Sequence, residues 1–150
     1  MRMFIELMNE RVIERKLNHV AATRANMRQI LEGPVADVIF SIEDQIFNSQ
    51  GRRGGGSWAF DSPSWLKRKL ANGLDPRIGH ATLRLRRAMT IRNAPHQRFV
   101  ATSQSLKIGT DLPYAESQQH HRPFIKFTPR DKQEIKEVIS LELKAAWRRG

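Results

Sequence analysis

The chain has 150 residues, of which 39% are hydrophobic and 27% charged, with no cysteine and a net charge of +11 at neutral pH. That length suits one domain around one core. The missing cysteines exclude disulfide staples and thiolate metal ligands, and no apolar run reaches the roughly 18 residues that a membrane-spanning helix needs.

In chain order, residues 3–8 are apolar enough for a short strand. Glu6 interrupts that stretch and no small-residue cleavage site follows, so it does not read as a signal peptide. Asn9 is placed to cap a helix whose face carries Ile13, Leu17, Val20, Met27 and Leu31 at spacings of three and four. Glu32-Gly33-Pro34 predicts the stop of that helix, with Gly33 in the left-handed conformation and Pro34 opening the next. The second helix has an unbroken stripe of Val35, Val38, Ile39, Ile42 and Ile46.

Gln50 to Ser57 is rich in glycine and arginine, and predicts a stretch that is mobile unless a partner holds it. It lacks the Gly-Lys-Ser/Thr ending of a phosphate-binding loop. Ser62 is a cap for a short helix from Pro63 containing Trp65, Leu66 and Leu70. Asn72-Gly73 and Asp75-Pro76 are turn signals, and Ala81 to Met89 suits another helix. The tryptophans in this part read either as core anchors or as interface anchors. Alternation over Gln97–Thr102 and Ser105–Thr110, joined by Ser103-Gln104, predicts a hairpin. Tyr114 to Gln119 suits a helical turn, and Arg122 to Phe127 a further extended piece. Thr128-Pro129-Arg130-Asp131 is a strong helix start, followed by Ile135, Val138, Ile139, Leu143 and Ala146 on one face.

The expected class is therefore α+β: two N-terminal helices, a small antiparallel sheet, a long flexible basic loop and a C-terminal helix. Residues 1–150 are expected to form a single domain, with a mobile basic insertion at about 50–95.

Catalysis needs converging acids, bases, nucleophiles or ligands, and few candidates stand out. His120 and His121 are adjacent, with no acid at a recurrent ligand spacing. No carboxylate pair is placed by sequence to share acid and base roles, and no hydrolase, metalloprotease or dinucleotide motif occurs. The expectation is a non-enzyme without metal or cofactor.

The charge is more informative. Between Arg52 and Arg98 stand eleven Lys/Arg against two acids, Asp61 and Asp75. This segment reads either as a solvated basic surface or as one facing a polyanion or an acidic partner. Arg52, Arg53, Lys67, Arg68, Lys69, Arg84, Arg86 and Arg87 are its candidate contacts. Without a zinc finger, helix-turn-helix or RRM signature, any nucleic-acid contact would be independent of base sequence.

One block is more specific. Ile108-Gly109-Thr110 leads into Tyr114-Ala115 and Gln118-Gln119, then Arg122-Pro123-Phe124-Ile125 and the C-terminal helix. Upstream stand Ser57-Trp58 after the glycines, and Thr82-Leu83-Arg84-Leu85. In this order the chain resembles the virion-morphogenesis and tail-completion proteins of tailed phages, with Mu-type and HK97-type members. It departs from the family pattern where Leu83 stands for a glycine, and where the glycine after the Gln pair is missing.

The resemblance implies a structural subunit of the head–tail joint, commonly a six-fold ring around the DNA channel. Its partners would be further copies of itself, the connector or stopper, and the tail terminator or tail tube. It implies assembly in the host cytoplasm and residence in the virion, with no membrane contact. It also marks Trp58, Leu85, Gly109, Tyr114, Ala115, Arg122, Pro123 and Phe124 as packing positions. Tyr114 and Phe124 are expected between sheet and helix, and Arg52, Arg53, Lys67, Arg68 and Lys69 toward the lumen or a neighbouring ring. The alternative is a stand-alone, sequence-independent nucleic-acid-binding protein using residues 52–98.

Overall fold

The computed structural model describes residues 10–54, 58–59, 61–74, 77 and 83–150. The expected strand at 3–8, Asn9, Ser57, the turn at 75–76, and residues 81 and 82 lie outside them. The class is α+β, as the periodicities imply, with a C-terminal helix.

Helix α1 spans Glu10–Ala25. The chain then breaks at Asn26 and Met27, where Asn26 Oδ1 accepts from Arg28 N–H at 3.3 Å and Met27 N–H donates to Ser103 O at 2.8 Å. Helix α2 (Arg28–Ile30) runs without interruption through a π-turn at Leu31–Val35 into α3 (Ala36–Asn48). The expected stop at Gly33-Pro34 is thus displaced to Asn26, and Gly33 does not take a positive φ. The physical reason is the wider turn. A proline ring in a regular helix collides with the carbonyl four residues back and cannot donate, whereas an i→i+5 turn makes room for it. Arg92 reinforces the site. Its guanidinium donates to the carbonyls of Glu32 (2.6 Å) and Gly33 (3.4 Å) and to the Asp37 carboxylate (2.7 Å).

The apolar stripe of α3 supplies the main core. Ile42, Ile46 and Phe47 pack with Trp58, Leu85, Ala88, Met89, Leu112, Ala115 and Phe124. Each large side chain so buried contributes about 1.5–3 kcal/mol over its exposed state. A second cluster joins Ile30, Leu31 and Val35 to Ile135, Val138 and Ile139 of the last helix. After α3 the backbone turns through Gly51 at φ +85°, against the Trp58 indole. Any Cβ there would collide with the ring, so glycine is needed both for conformation and for space.

A short 3₁₀ turn at Arg52–Gly54 follows, then α4 (Pro63–Ala71) and α5 (Arg84–Thr90). Ser62 caps α4, accepting from Trp65 N–H at 3.3 Å. Within the segment expected as a basic insertion, α4 and α5 are the two helices predicted from Pro63 and over Ala81 to Met89. Trp58, Leu85, Ala88 and Met89 place it in the core rather than outside it.

Strands β1 (Gln97–Ala101) and β2 (Leu106–Thr110) pair antiparallel, Phe99 opposite Ile108 and Val100 opposite Lys107. The two make the whole sheet among the described residues. Helix α6 spans Ala115–His121. Arg122 to Phe127 does not add a strand. Gln119 occupies its backbone instead, its Oε1 accepting from Phe124 N–H (3.0 Å) and Ile125 N–H (2.9 Å) while its Nε2 donates to Ile125 O (3.0 Å). One side chain satisfies groups that a ladder would otherwise have paired.

Helix α7 (Pro129–Arg149) starts with a full capping box: Thr128 Oγ1 accepts from Asp131 N–H, and Asp131 Oδ2 from Thr128 N–H at 2.8 Å. No helix among the described residues is long and apolar enough to cross a membrane.

Candidate assembly surface

The basic residues singled out by sequence divide into two groups. The first is spent inside the molecule. Lys69 is only 1% exposed. Its Nζ lies 2.5 Å from Asp61 Oδ2 and 3.2 Å from Arg77 O. The other Asp61 oxygen meets Arg122 at 2.9 Å, so one buried carboxylate holds two cations. Arg53 reaches the buried Asp131 through both terminal guanidinium nitrogens, at 2.7 and 2.5 Å. Arg86 pairs with Asp44 at 2.9 Å and donates to Asn48 at 2.6 Å. Lys69, Arg53 and Arg86 are thus structural ties rather than free contacts, which corrects the expectation for them. Low dielectric makes the Lys69–Asp61 and Arg53–Asp131 pairs costly to break from one side.

The second group remains at the surface. Arg52 is exposed and donates to Ser49 O at 3.2 Å. Arg84 lies 3.1 Å from His96 Nε2, and His96 Nδ1 faces Asp111 at 3.1 Å. Lys67, Arg68 and Arg87 are exposed. Arg68 and Lys69 both approach the Trp65 ring, at 5.8 Å from its centroid.

Among these cations lies an apolar patch. Helix α4 sends Lys69, not a hydrophobe, into the body. Trp65 and Leu66 are left over a third exposed and Leu70 61% exposed. The wheel of α4 sets these three in one arc with Lys67 and Arg68 on its flanks. Spacing alone leaves Trp65 open between core and interface. Asp61 holds Lys69, which lies one turn beyond Trp65 on the same side of α4.

The residues of the family-like motifs converge. Trp58, Leu85, Ala115 and Phe124 share the main core cluster. Phe47 lies between Trp58 (5.4 Å, edge to face) and Phe124 (5.9 Å). Trp58 Nε1 donates to Pro123 O at 2.9 Å, and Arg122 joins the Asp61 cluster. Gly109 sits half-buried in β2. Tyr114 departs from expectation: it precedes α6 with 42% of its surface exposed, because Ala115 and Leu112 take the inward positions there.

Two carboxyls have shifted acidity. Glu43 of α3 is buried, and burial raises its pKa from 4.5 to about 8. Its Oε2 has no hydrogen-bond partner among the described residues. Asp131 is shifted the other way, held below the usual carboxylate range first by the hydrogen bonds from Arg53 and then by those from Thr128. Neither Glu43 nor the Asp61 cluster was legible as a site from spacing.

Among the described residues, no group of three His, Asp or Glu side chains is arranged to hold a metal ion. His120 and His121 line an open depression with Pro113, Glu116, Ser117 and Gln119. Their rings meet edge to face, 5.1 Å apart. Comparison with family models, with curated proteins and with solved structures returns no match.

Proposed function

We propose that this chain is a non-enzymatic assembly subunit of the tailed-phage neck, a tail-completion protein that forms a ring around the DNA channel between connector and tail. One observation carries the reading. The short motifs that resemble that family, scattered from Trp58 to Phe124, pack into one cluster and are tied by the Trp58–Pro123 and Asp61–Arg122 contacts. A shared architecture requires motif residues to build one frame, as Trp58, Leu85, Ala115 and Phe124 do.

The surface supports an assembly role. Exposed Trp65, Leu66 and Leu70 with flanking cations have the aromatic and basic character of interface anchors. The alternative, a stand-alone nucleic-acid-binding protein, loses ground because Arg53, Lys69 and Arg122 are committed to buried carboxylates and Arg86 to Asp44. The remaining cations suit a weaker, salt-sensitive contact with DNA in a channel.

The test is genetic. Particles assembled without this chain should accumulate as DNA-filled heads and detached tails. Joined, infectious particles would overturn the reading. A monomer that never assembles yet shifts DNA in a salt-dependent manner would favour the alternative.

A further inference from the structure

The outer face of the hairpin carries charge. Arg98 stands opposite Gly109 and Val100 opposite Lys107, so these four share one face. Arg98, Val100 and Lys107 are exposed, while Phe99 stacks on Phe40 of α3 on the other side. At the open end of the hairpin this face meets the start of α5. Arg84 Nη2 lies 3.1 Å from His96 Nε2, and His96 Nδ1 lies 3.1 Å from Asp111 Oδ1. Arg98 Nη2 reaches the other Asp111 oxygen at 2.9 Å. One carboxylate thus links side chains from α5, the turn before β1 and β1 itself into a row that Lys107 extends.

Two features of this face have no use within the fold. Gly109 lies between Lys107 and Asp111 along the chain and opposite Arg98. Its φ is not positive, and a Cβ added to it would meet nothing within 4 Å. Neither conformation nor internal space requires glycine there. Glycine weakens a strand, and in strands it recurs where a ligand approaches the backbone closely. His96 holds a left-handed φ of +64°. Its carbonyl accepts from Asp111 N–H at 3.1 Å and from Thr110 Oγ1 at 2.9 Å, which fixes that conformation and sets the imidazole between Arg84 and Asp111. Arg84 and Arg98 are thereby held in place beforehand, and pre-ordered side chains lose less entropy on binding.

We propose that this face seats the phosphodiester backbone of duplex nucleic acid, with one phosphate over Gly109 between Arg98 and Lys107 and a further one at Arg84. The inference deepens the DNA contact of the neck reading, and rests on that reading for which nucleic acid is met. Charge complementarity carries it. Arg84, Arg98 and Lys107 stand around a single carboxylate, Asp111, which Arg98 and His96 already share. Lys107 has no ion-pair or hydrogen-bond partner among the described residues. An acidic protein partner would call for an apolar centre to the contact, and on this face only Val100 is an exposed hydrophobe. Cations around a bare backbone position meet phosphates and read no bases, so the contact is independent of sequence.

The experiment follows the fluorescence anisotropy of two labelled duplexes of unrelated sequence with the purified full chain across a salt series. Both duplexes should bind alike, with affinity falling as salt rises. Arg98→Gln/Lys107→Gln should weaken binding at least about tenfold at low salt and lower the slope of log K against log salt by about two. Lys132→Gln/Lys136→Gln removes the same charge from exposed positions on α7 and should stay within about twofold of the parent. Gly109→Val has room on the free chain, so it should keep the parent's melting temperature and still weaken binding. No duplex binding at low salt, equal losses in the two charge variants, or a Gly109→Val variant that binds like the parent overturns the seat. Polyglutamate that displaces the duplex as well as unlabelled DNA does also overturns it, and assigns the face to an acidic protein. Each of these results leaves the ring reading standing, because that reading is judged by whether heads and tails join without the chain.

Discussion

Glu43 should make the stability of this protein fall as pH rises through the neutral range. The carboxyl is 1% exposed and its pKa in the fold is about 8, against 4.5 when solvated. The folded state therefore holds the proton more tightly than the unfolded chain. The stabilisation of the neutral acid is fully present below the unfolded value and is lost as pH climbs to the folded value. Each tenfold difference in proton affinity is worth about 1.4 kcal/mol, so the loss is roughly 3 kcal/mol by about pH 7 and approaches about 5 kcal/mol above about pH 8. Domains of this kind have about 5–15 kcal/mol in total, so the effect is large. Glu43→Gln keeps the shape and removes the titration. Urea unfolding of both proteins, followed by tryptophan fluorescence from about pH 4.5 to 9, isolates the contribution because all other groups are common to both. The gap should open steadily in favour of the Glu43→Gln variant as pH rises. A gap that stays constant within about 0.5 kcal/mol across that range would refute the argument that burial keeps Glu43 neutral.

Other outcomes follow from the same structure. Asp61→Ala should cost about 3–5 kcal/mol, because it strands the buried Lys69 and removes the anchor of Arg122; thermal melts of Asp61→Ala and of the Asp61→Leu/Lys69→Met double variant should show the double less destabilised. Trp58→Ala should cost about 3–5 kcal/mol, whereas Trp58→Phe, which loses mainly the bond to Pro123 O, should cost about 1 kcal/mol more than a silent change in chemical unfolding. Arg53→Met should weaken the stabilisation that Asp131 contributes above its unfolded pKa and loses as pH falls through its lowered folded pKa; acid titration of stability should then show a shallower decline than in the parent. Trp65→Ala should leave the melting temperature nearly unchanged and weaken self-association measured by sedimentation.

Local chemistry was legible wherever the partners sit close in sequence. Ser62 before Pro63 and Thr128 with Asp131 announce helix starts because cap and N–H are three residues apart. The hairpin follows from alternation around a two-residue connection. Gly33-Pro34 was misleading because its local preference, a helix stop, gives way to a π-turn held by Arg92 from about sixty residues away. The Arg122–Phe127 segment reads as an extended piece, but Gln119 reaches its backbone first.

The sequence by itself determined the α+β class, the capped helices, the hairpin, the absence of cysteine chemistry and the excess of positive charge. These depend on periodicity, composition and contacts within one or two turns. Only the tertiary structure decided which cations are free. Arg53 meets Asp131 across 78 positions, and Lys69 and Arg122 converge on Asp61, because buried carboxylates require charge partners and the fold supplies whichever lie within reach. The same requirement turns Lys69 inward, while Trp65, Leu66 and Leu70 stay exposed. A basic segment that composition presents as uniform becomes, once folded, part core, part internal ion pair and part exposed surface.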